Sequence, residues 1–263
     1  MLPTKIKVFI LCGGSGSRLD KLGKIIAKPM VRIGKEPMLY HIISNFVKQG
    51  FKDFVLCTGH RSETINNYFL NENKKYVEVV KKNKGVVFVK YKNKNLKFNC
   101  NIVFTGKSSG TGGRIKSAVE KLKIKEDILM TYGDGLSNID IKSLVKFHYK
   151  NKASVTMTGV RPKHKYGIIN TKKNLITSFD DSKTKKIDSY INGGFFIISR
   201  WAYSLIKKNY EFWEDAPLKK AIIKNKVYIY RHKGFWQCVD TLKDLNELNS
   251  LFKSKKLPWL FKK

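Results

Sequence analysis

Short apolar runs and amphipathic segments alternate along the first half of the chain. Lys7 to Cys12, Phe54 to Cys57, Ile102 to Phe104 and Ile128 to Met130 are apolar runs typical of buried strands. The segments Met38 to Val47, Asp140 to Tyr149 and those opening at Ser62 and Thr111 carry apolar residues at helical spacing. Between these units, Tyr76 to Tyr91 alternates and turns at Asn83-Lys84-Gly85, which predicts a β-hairpin.

The second half contains more strand-like pattern than the first. The predicted strands are Val155 to Val160, Gly167 to Asn170, Leu175 to Phe179, Ile191 to Ile198 and Val227 to Tyr230. The predicted helices run from about Arg200 to Lys208, from about Ala216 to Lys224, and through the leucines from Leu242 to Leu251. Alternating strands and helices predict an α/β fold with a mainly parallel central sheet flanked by helices, and an antiparallel addition in the second half.

The chain has no internal repeat and no linker, so we predict a single domain spanning residues 1–263, with halves of about 1–150 and 151–263. Its hydrophobic content of 42% is enough for a full core and excludes a disordered chain. No apolar run approaches the roughly 20 residues of a membrane span. The first apolar run ends at Gly13-Gly14, too early for a signal peptide. We therefore expect a cytoplasmic protein without membrane insertion.

The net charge of +33 suggests nucleic-acid binding at first sight, but its distribution does not favour it. Of the 53 basic residues, 46 are lysines, and they are spread over the whole chain. A nucleic-acid footprint concentrates charge on one element and often uses arginine. We expect no specific nucleic-acid partner, and regard attraction of a small anionic metabolite as the more economical use of the positive field.

The four cysteines are widely spaced and form no Cys-x-x-Cys pair. Cys12 and Cys57 fall within apolar strand-like runs, which favours small buried thiols. Neither disulfides nor zinc are indicated.

A glycine-rich segment, Gly13-Gly14-Ser15-Gly16-Ser17, follows the first strand and is followed in turn by Arg18. Such a loop lets backbone N–H groups approach phosphate oxygens closely, and an arginine adds a planar cationic donor. The dinucleotide fingerprint fails because Leu19 stands where its last glycine should be. The Walker pattern also fails, because Asn101 stands where it needs its first glycine. On these residues alone, a phosphate site of another kind and a simple turn both remain open.

Further motifs decide between these alternatives. Lys28-Pro29-Met30 stands ten residues after Arg18, and Thr111-Gly112-Gly113-Arg114, Thr131-Tyr132-Gly133-Asp134-Gly135 and Ile191-Asn192-Gly193-Gly194 follow. Gly234-Phe235-Trp236-Gln237 and Asp240-Thr241-Leu242 complete the set near the carboxyl end. With constant spacing over essentially the whole chain, the sequence resembles the sugar nucleotidyltransferases, and within them the glucose-1-phosphate cytidylyltransferases.

The resemblance implies a Rossmann-like nucleotidyltransferase fold with a nucleotide-binding first half and an acceptor-binding second half. It implies transfer of CMP from CTP to a small phosphorylated acceptor with release of pyrophosphate, for surface polysaccharide biosynthesis. Catalysis would fall to Arg18 and Lys28. The implied nucleotide-binding residues are Leu11, Gly13, Gly14, Ser15, Gly16, Ser17, Ser108, Gly113 and Gly133. The implied acceptor-binding residues are Tyr132, Tyr166, Gly167, Asp181, Asn192 and Gly193. Relatives often form oligomers, so a homo-oligomer stays open.

By the same resemblance, Asp134 and Asp240 would hold Mg²⁺, a hard cation that prefers carboxylate and phosphate oxygens. A simpler alternative for Asp240 is the N-cap of the last helix, and for Lys28 a solvated surface lysine.

The acceptor end departs from the family pattern Phe-x-Glu-Lys-Pro. Here the run is Phe179-Asp180-Asp181-Ser182-Lys183, so the lysine is replaced by Ser182. A basic run from Arg161 to Lys165 precedes Tyr166-Gly167, and Ile26 replaces a lysine before Lys28. The acceptor is therefore open between a sugar 1-phosphate and a phosphorylated non-sugar such as L-glutamine phosphate. A non-catalytic nucleotide- or nucleic-acid-binding protein on the same fold is the alternative of another class.

Overall fold

The computed structural model describes residues 6–14, 25–161, 168–172, 175–180, 190–224 and 226–261. In the first half the elements are β1 Lys7–Cys12, β2 Arg32–Ile33, β3 Glu36–Pro37, α1 Met38–Lys48, β4 Asp53–Thr58, α2 Ser62–Asn67, β5 Val77–Asn83, β6 Val86–Lys92, β7 Lys97–Phe104, α3 Thr111–Leu122, β8 Ile128–Tyr132, β9 Gly135–Ser137 and α4 Ile141–Lys150. Short 3-10 segments at Lys28–Met30 and Lys74–Tyr76, and a π-helical turn at Tyr68–Glu72, lie between them.

The second half contains six further strands and three helices among its described residues. These are β10 Val155–Val160, β11 Ile168–Lys172, β12 Leu175–Asp180, β13 Ile191–Ile198, α5 Arg200–Tyr203, α6 Ala216–Ile223, β14 Val227–His232, β15 Trp236–Cys238 and α7 Leu242–Lys253. None of the described helices is long and apolar enough to cross a membrane.

Nine strands form one sheet in the order β14-β10-β13-β8-β1-β4-β7-β6-β5. Its centre, β8-β1-β4-β7, is parallel, as expected for strands joined by crossover helices. The predicted hairpin forms β5 and β6 and adds antiparallel strands at one side. On the other side, β13 runs antiparallel between β8 and β10. The predicted mainly parallel central sheet is confirmed, and antiparallel pairing occurs on both of its flanks.

The core has two layers, one on each face of the sheet. Alternate residues of β1 supply both layers: Val8 and Ile10 face one cluster, whereas Phe9 and Leu11 face the other. Strands buried on both faces lack polar alternation, which is why β1 appears in the sequence as a continuous apolar run.

The helix predicted from Arg200 to Lys208 is shorter than expected and ends at Tyr203. The backbone amides of Lys207 and Lys208 donate to the carboxylate of Glu211, at 2.7 and 3.3 Å, instead of continuing the helical ladder. This loop carries the chain back across the amino end of α3, where it supports the site described below.

Cys12, Cys57 and Cys100 are free, buried thiols, and burial raises the pKa of Cys57 to about 12. These thiols therefore stay protonated and act as small apolar side chains, as predicted for Cys12 and Cys57.

A buried histidine predicts how stability changes with pH. His148 of α4 is 1% exposed, contacts Thr156 Oγ1 at 2.8 Å, and has its pKa lowered from 6.5 to about 4 by burial. Because the unfolded chain binds this proton more readily, stability should fall as pH decreases from about 6.5 to about 4, by up to about 3 kcal/mol from this residue. Urea unfolding at several pH values measures the slope. The substitution His148→Asn should make the free energy of unfolding depend less steeply on pH. His41 and His232 contribute equally to this dependence in the variant and in the wild-type protein. An unchanged slope in His148→Asn would contradict the assignment.

Candidate active site

The carboxyl ends of the four central parallel strands meet along one edge of the sheet. Each strand leads within two residues into a glycine: Gly13 after β1, Gly59 after β4, Gly106 after β7 and Gly133 after β8. In open α/β sheets, this edge is where ligands bind, because the loops there are free to present backbone groups.

One buried side chain, Arg114 of α3, ties three of these loops together. Its guanidinium donates to the carbonyl oxygens of Gly13 at 2.7 Å and Gly106 at 2.8 Å, and to Thr105 Oγ1 at 3.1 Å. A longer bond of 3.3 Å reaches the carbonyl oxygen of Thr58 at the end of β4. Arg114 is 5% exposed, so these oxygens replace the water that the charged group would otherwise hold.

The guanidinium also explains two of the glycines. A Cβ on Gly13 would lie 2.0 Å from Arg114 Nη1, and one on Gly59 would lie 2.3 Å from the same atom. Among the described residues, nothing lies within 4 Å of a Cβ placed on Gly14. Gly13 is therefore required by its packing against Arg114, whereas no described neighbour imposes the same requirement on Gly14.

At the centre of this edge, Lys28 bridges two carboxylates that are distant in sequence. Lys28 Nζ lies 2.8 Å from Asp134 Oδ2 and 2.9 Å from Asp240 Oδ1. The lysine side chain is 13% exposed, and the two carboxylates are about one third exposed. The surface-lysine alternative for Lys28 is therefore wrong.

Backbone pairing holds the three charged residues together. The amide of Gly133 donates to the Leu11 carbonyl, and Gly133 has no room for a Cβ because Pro29 Cγ would lie at 2.6 Å. The amide of Val239 donates to the Asp134 carbonyl at 2.8 Å, and β9 pairs with β15. Main-chain hydrogen bonds thus fix the segments that carry Asp134 and Asp240, and the side chain of Pro29 packs the Lys28 segment against Gly133.

The N-cap alternative for Asp240 is also wrong. Thr241 is the N-cap of α7, and Asp244 completes a capping box with it. The Asp240 carboxylate accepts instead from Lys28 Nζ and from the Cys238 thiol, the latter at 3.3 Å. A neighbouring residue performs the cap, so the Asp240 side chain is available for the site.

Burial and charge act against each other at Lys28. Burial lowers the pKa of its ammonium, but Asp134 and Asp240 outweigh that effect, and the pKa of Lys28 lies above its ordinary value. The group is therefore a permanent cation at neutral pH.

A second network links the acceptor-side residues to α3. The Tyr132 hydroxyl donates to the Glu214 carboxylate and accepts from Asn192 Nδ2 at 3.2 Å. The other Glu214 oxygen accepts from Thr111 Oγ1, the first residue of α3, at 2.5 Å. Burial, and then the Glu214 charge, raise the pKa of Tyr132, which stays a neutral phenol.

Of the ten remaining predicted residues, three lie among the described residues and seven do not. Ser108 is exposed in the loop after β7, whereas Gly113 is buried with its amide donating to the Glu211 carbonyl. Gly193 is buried, and its carbonyl accepts from Trp236 Nε1 at 2.8 Å. Seven predicted residues lie outside the described residues: Ser15, Gly16, Ser17, Arg18, Tyr166, Gly167 and Asp181.

Two residues of the site were not predicted, namely Arg114 and Glu214. Arg114 carried a signal, since it stands four positions before Ala118 and therefore on the inward face of α3. Glu214 lies in a loop without periodicity, so only the fold brings it to Tyr132.

A cleft of about 1200 Å³ lies elsewhere on the molecule and does not coincide with this site. Its lining includes Met30, Arg32, Asn67, Glu72 and Lys82, but not Lys28, Asp134 or Asp240. Cleft size and the charged constellation therefore point to different places, and we favour the constellation because it brings together groups capable of chemistry.

Comparison with known proteins identifies the class. The nucleotidyl transferase family model matches residues 7–255, and the chain belongs to that family. It is 35% identical over 257 residues to glucose-1-phosphate cytidylyltransferase of Salmonella typhimurium (strain LT2), covering 97% of this chain and 98% of the relative. It is 32% identical over 256 residues to the probable glucose-1-phosphate cytidylyltransferase of Bacillus subtilis (strain 168), covering 97% and 99%. The resemblance found in the sequence is confirmed.

Solved structures agree on the fold. A putative glucose-1-phosphate thymidylyltransferase from Bacillus anthracis superposes with a TM-score of 0.67 at 18% identity, covering 94% of this chain and 95% of that one. HddC from Yersinia pseudotuberculosis, complexed with GMP-PN, gives 0.67 at 19% identity, covering 94% and 100%. At these identities the likeness supports the fold alone.

Adjacent glycines provide a matched test of the Arg114 packing. Gly13→Ala should destabilise the protein by about 1–3 kcal/mol, because the new Cβ collides with the guanidinium. Gly14→Ala should change stability by less than about 0.5 kcal/mol. Urea denaturation measures both, and equal losses in the two variants would show that Arg114 does not set the requirement.

A double-mutant cycle tests the Tyr132–Glu214 bond. Glu214→Gln and Tyr132→Phe should couple by about 1–2 kcal/mol in urea unfolding, since the bond involves a charged acceptor. The neighbouring Asp215→Asn, exposed and paired only with Lys219 at 3.8 Å among the described residues, is the control and should show no coupling to Tyr132→Phe. Additive effects of Glu214→Gln and Tyr132→Phe would remove Glu214 from the site.

Proposed function

We propose that this protein is a Mg²⁺-dependent cytidylyltransferase that transfers CMP from CTP to the phosphate of a small phosphorylated acceptor. The Lys28–Asp134–Asp240 cluster carries this proposal, because a fixed cation beside two carboxylates at the ligand-binding edge suits a polyphosphate substrate. Family membership supports the reaction class, and the two cytidylyltransferase relatives support CTP as donor and a sugar 1-phosphate as acceptor.

The reaction needs positioning and charge neutralisation more than covalent chemistry. An oxygen of the acceptor phosphate attacks the α-phosphorus of CTP and forms a new P–O bond. The bond from the α-phosphorus to the bridging oxygen breaks, and its electron pair leaves with pyrophosphate. Lys28 stays protonated and neutralises charge that develops on the α-phosphate and the leaving group. Arg18, in the glycine-rich loop, is proposed to share this role.

The chemistry of the site fits a divalent cation. Two carboxylates already converge on one cationic nitrogen, and each is about one third exposed, so oxygen ligands remain accessible. Mg²⁺ usually binds through one or two carboxylates together with substrate phosphates, and it would supply charge neutralisation to the triphosphate. Asp134 and Asp240 are the proposed ligands, while Lys28 is proposed to turn from the carboxylates toward the phosphates when substrate binds.

The nucleotide is proposed to lie over the loops that Arg114 organises. Gly14 would contribute its backbone amide beyond β1, in line with Leu11 and Gly13, and the exposed Ser108 follows β7 at the same edge. Gly113 and Gly133 already use their amides within the chain, so their proposed contribution is close packing rather than hydrogen bonding. The choice of cytosine is inferred from the relatives.

The acceptor is proposed to bind beside Tyr132, Asn192 and Gly193. The names of the relatives favour glucose 1-phosphate, a sugar 1-phosphate, as the acceptor. The product would then be CDP-glucose, which we propose serves surface polysaccharide synthesis. Ser182 in place of the family lysine favours the second candidate, a phosphorylated non-sugar such as L-glutamine phosphate. Removing one member of a buried charge pair costs about 2–5 kcal/mol, enough to change which acceptor is used.

Pyrophosphate release tests the proposal. Purified protein with Mg²⁺ and each of CTP, UTP, dTTP, ATP and GTP is assayed against glucose 1-phosphate, other hexose 1-phosphates, glycerol 3-phosphate and enzymatically generated L-glutamine phosphate. We expect turnover with CTP and one acceptor. Turnover should fall by at least about 10²-fold in Asp134→Asn, because the cation that would neutralise the triphosphate loses a carboxylate ligand. Asp53→Asn, at an exposed position bonded to Asn99, is the control and should retain activity.

Outcomes separate the alternatives. Near wild-type turnover in Asp134→Asn would contradict the metal assignment. Metal-independent binding of DNA or RNA that falls steeply with salt, without pyrophosphate release, would favour the non-catalytic alternative.

A further inference from the structure

Three side chains lie close together on the side of the sheet formed by β13, β10 and β14. They form a cluster that the proposed reaction does not use. The guanidinium of Arg161 lies 4.4 Å from the ring centroid of Tyr190, and that of Arg231 lies 5.6 Å from the same centroid. The chain has seven arginines among its 53 basic residues, so two on one ring are a concentration of the rarer cation. We call Arg161, Tyr190 and Arg231 the arginine–tyrosine cluster.

Strand pairing explains how the cluster assembles. Gly159 of β10 pairs with Asn192 on one side and with Arg231 of β14 on the other, so their side-chain positions share one face. Gly159 has no side chain, and two side chains use the space above it: Ile229 Cδ1 would lie 2.4 Å, and Cδ1 of the Tyr190 ring 3.2 Å, from a Cβ at Gly159. Arg161 lies two residues after Gly159 and so returns to the same face.

The two guanidinium groups have no anionic partner among the described residues. Their contacts within the described part of the chain are those with the Tyr190 ring, and both arginines are exposed. Two guanidinium groups held near one ring repel each other, and their attraction to the ring compensates for this repulsion only in part. An oxyanion bound between them would be attracted to both, since the guanidinium fork matches carboxylate and phosphate geometry.

The cluster is separate from the reacting phosphate. The backbone of Arg231 lies on β14, three strand positions or roughly 14 Å from β8 at about 4.8 Å per strand. Its guanidinium, however, reaches the ring of Tyr190, which stands directly before β13, the strand next to β8. Asn192 stands between the two places, since it bonds to Tyr132 and pairs with Gly159. An acceptor held at Tyr132 and Asn192 would therefore extend its far end toward the arginines.

We propose that the arginine–tyrosine cluster is a subsite for a second oxyanion of the acceptor, a carboxylate or a further phosphate several bonds from the phosphate that reacts. This inference rests on the proposed function for the identity of the bound molecule as acceptor. It also accounts for the sequence departure: the lysine of the family motif is replaced by Ser182, while Arg161 opens a basic run. Positive charge for the acceptor is supplied by Arg161, directly after β10, and by Arg231 on β14.

Matched pairs of phosphorylated compounds test the subsite. The pairs differ in the second anion: 3-phosphoglycerate against glycerol 3-phosphate, O-phospho-L-serine against phosphoethanolamine, and glucose 1,6-bisphosphate against glucose 1-phosphate. Binding is measured by calorimetry, with and without α,β-methylene-CTP and Mg²⁺, so that the result does not depend on turnover. We expect wild-type protein to bind the member with the second anion at least about tenfold more tightly in at least one pair. The carboxylate pairs and the bisphosphate pair separate the two sources of the anion.

Variants locate the preference. Arg161→Gln/Arg231→Gln should reduce the ratio to near one, whereas Arg200→Gln/Lys224→Gln, with the same loss of charge at exposed positions, should retain it. Retention of the ratio in the first variant, or absence of any ratio in the wild-type protein, would overturn the subsite. If the wild-type protein releases no pyrophosphate but still binds the member with the second anion more tightly, the proposed reaction is contradicted and the subsite is supported.

Discussion

The site depends on one ammonium group held between two carboxylates. Lys28 contacts Asp134, 106 positions later, and Asp240, 212 positions later, so three distant segments must converge within hydrogen-bond distance of one nitrogen. Partly buried charges of this kind contribute little net stability, because desolvation offsets their attraction, whereas removal of one partner leaves the others unpaired. The two carboxylates are positioned instead by main-chain bonds from Gly133 to Leu11 and from Val239 to Asp134, and the Lys28 segment is packed against Gly133 by Pro29. The cluster is thus positioned by the fold and kept available for ligands.

Two further contacts meet at the first turn of α3: Arg114 belongs to this turn, and Glu214, from a separate loop, accepts a hydrogen bond from Thr111. Arg114 binds the carbonyl oxygens of loops that follow β1, β4 and β7, and Glu214 joins Thr111 to Tyr132. Both act on the amino end of α3, so the proposed nucleotide side and the proposed acceptor side share contacts with one short segment. Loops that carry function are usually held in this way by a scaffold beneath them.

Local pattern predicted most of the fold, because buried strands and amphipathic helices leave a periodic signal that does not depend on distant residues. The strands β1, β4, β7 and β8 and the hairpin of β5 and β6 follow that rule, whereas the two-residue strands β2 and β3 are too short to leave such a signal. The helix after Arg200 was predicted too long, because Glu211 captures amides that a helix would have used. Lys28, Asp134 and Asp240 were predicted by resemblance, but their mutual contacts were not, since a sequence does not show which charges meet. The Glu214 contact and the arginine–tyrosine cluster arise from tertiary pairing alone.

The most direct test of the central claim is a crystal structure with α,β-methylene-CTP and Mg²⁺. We predict a cation that contacts the carboxylates of both Asp134 and Asp240, with Lys28 Nζ moved from those carboxylates to the phosphates of the nucleotide. A nucleotide bound at this edge with Lys28 still bridging both aspartates, or a cation bound away from them, would contradict the role assigned to the cluster.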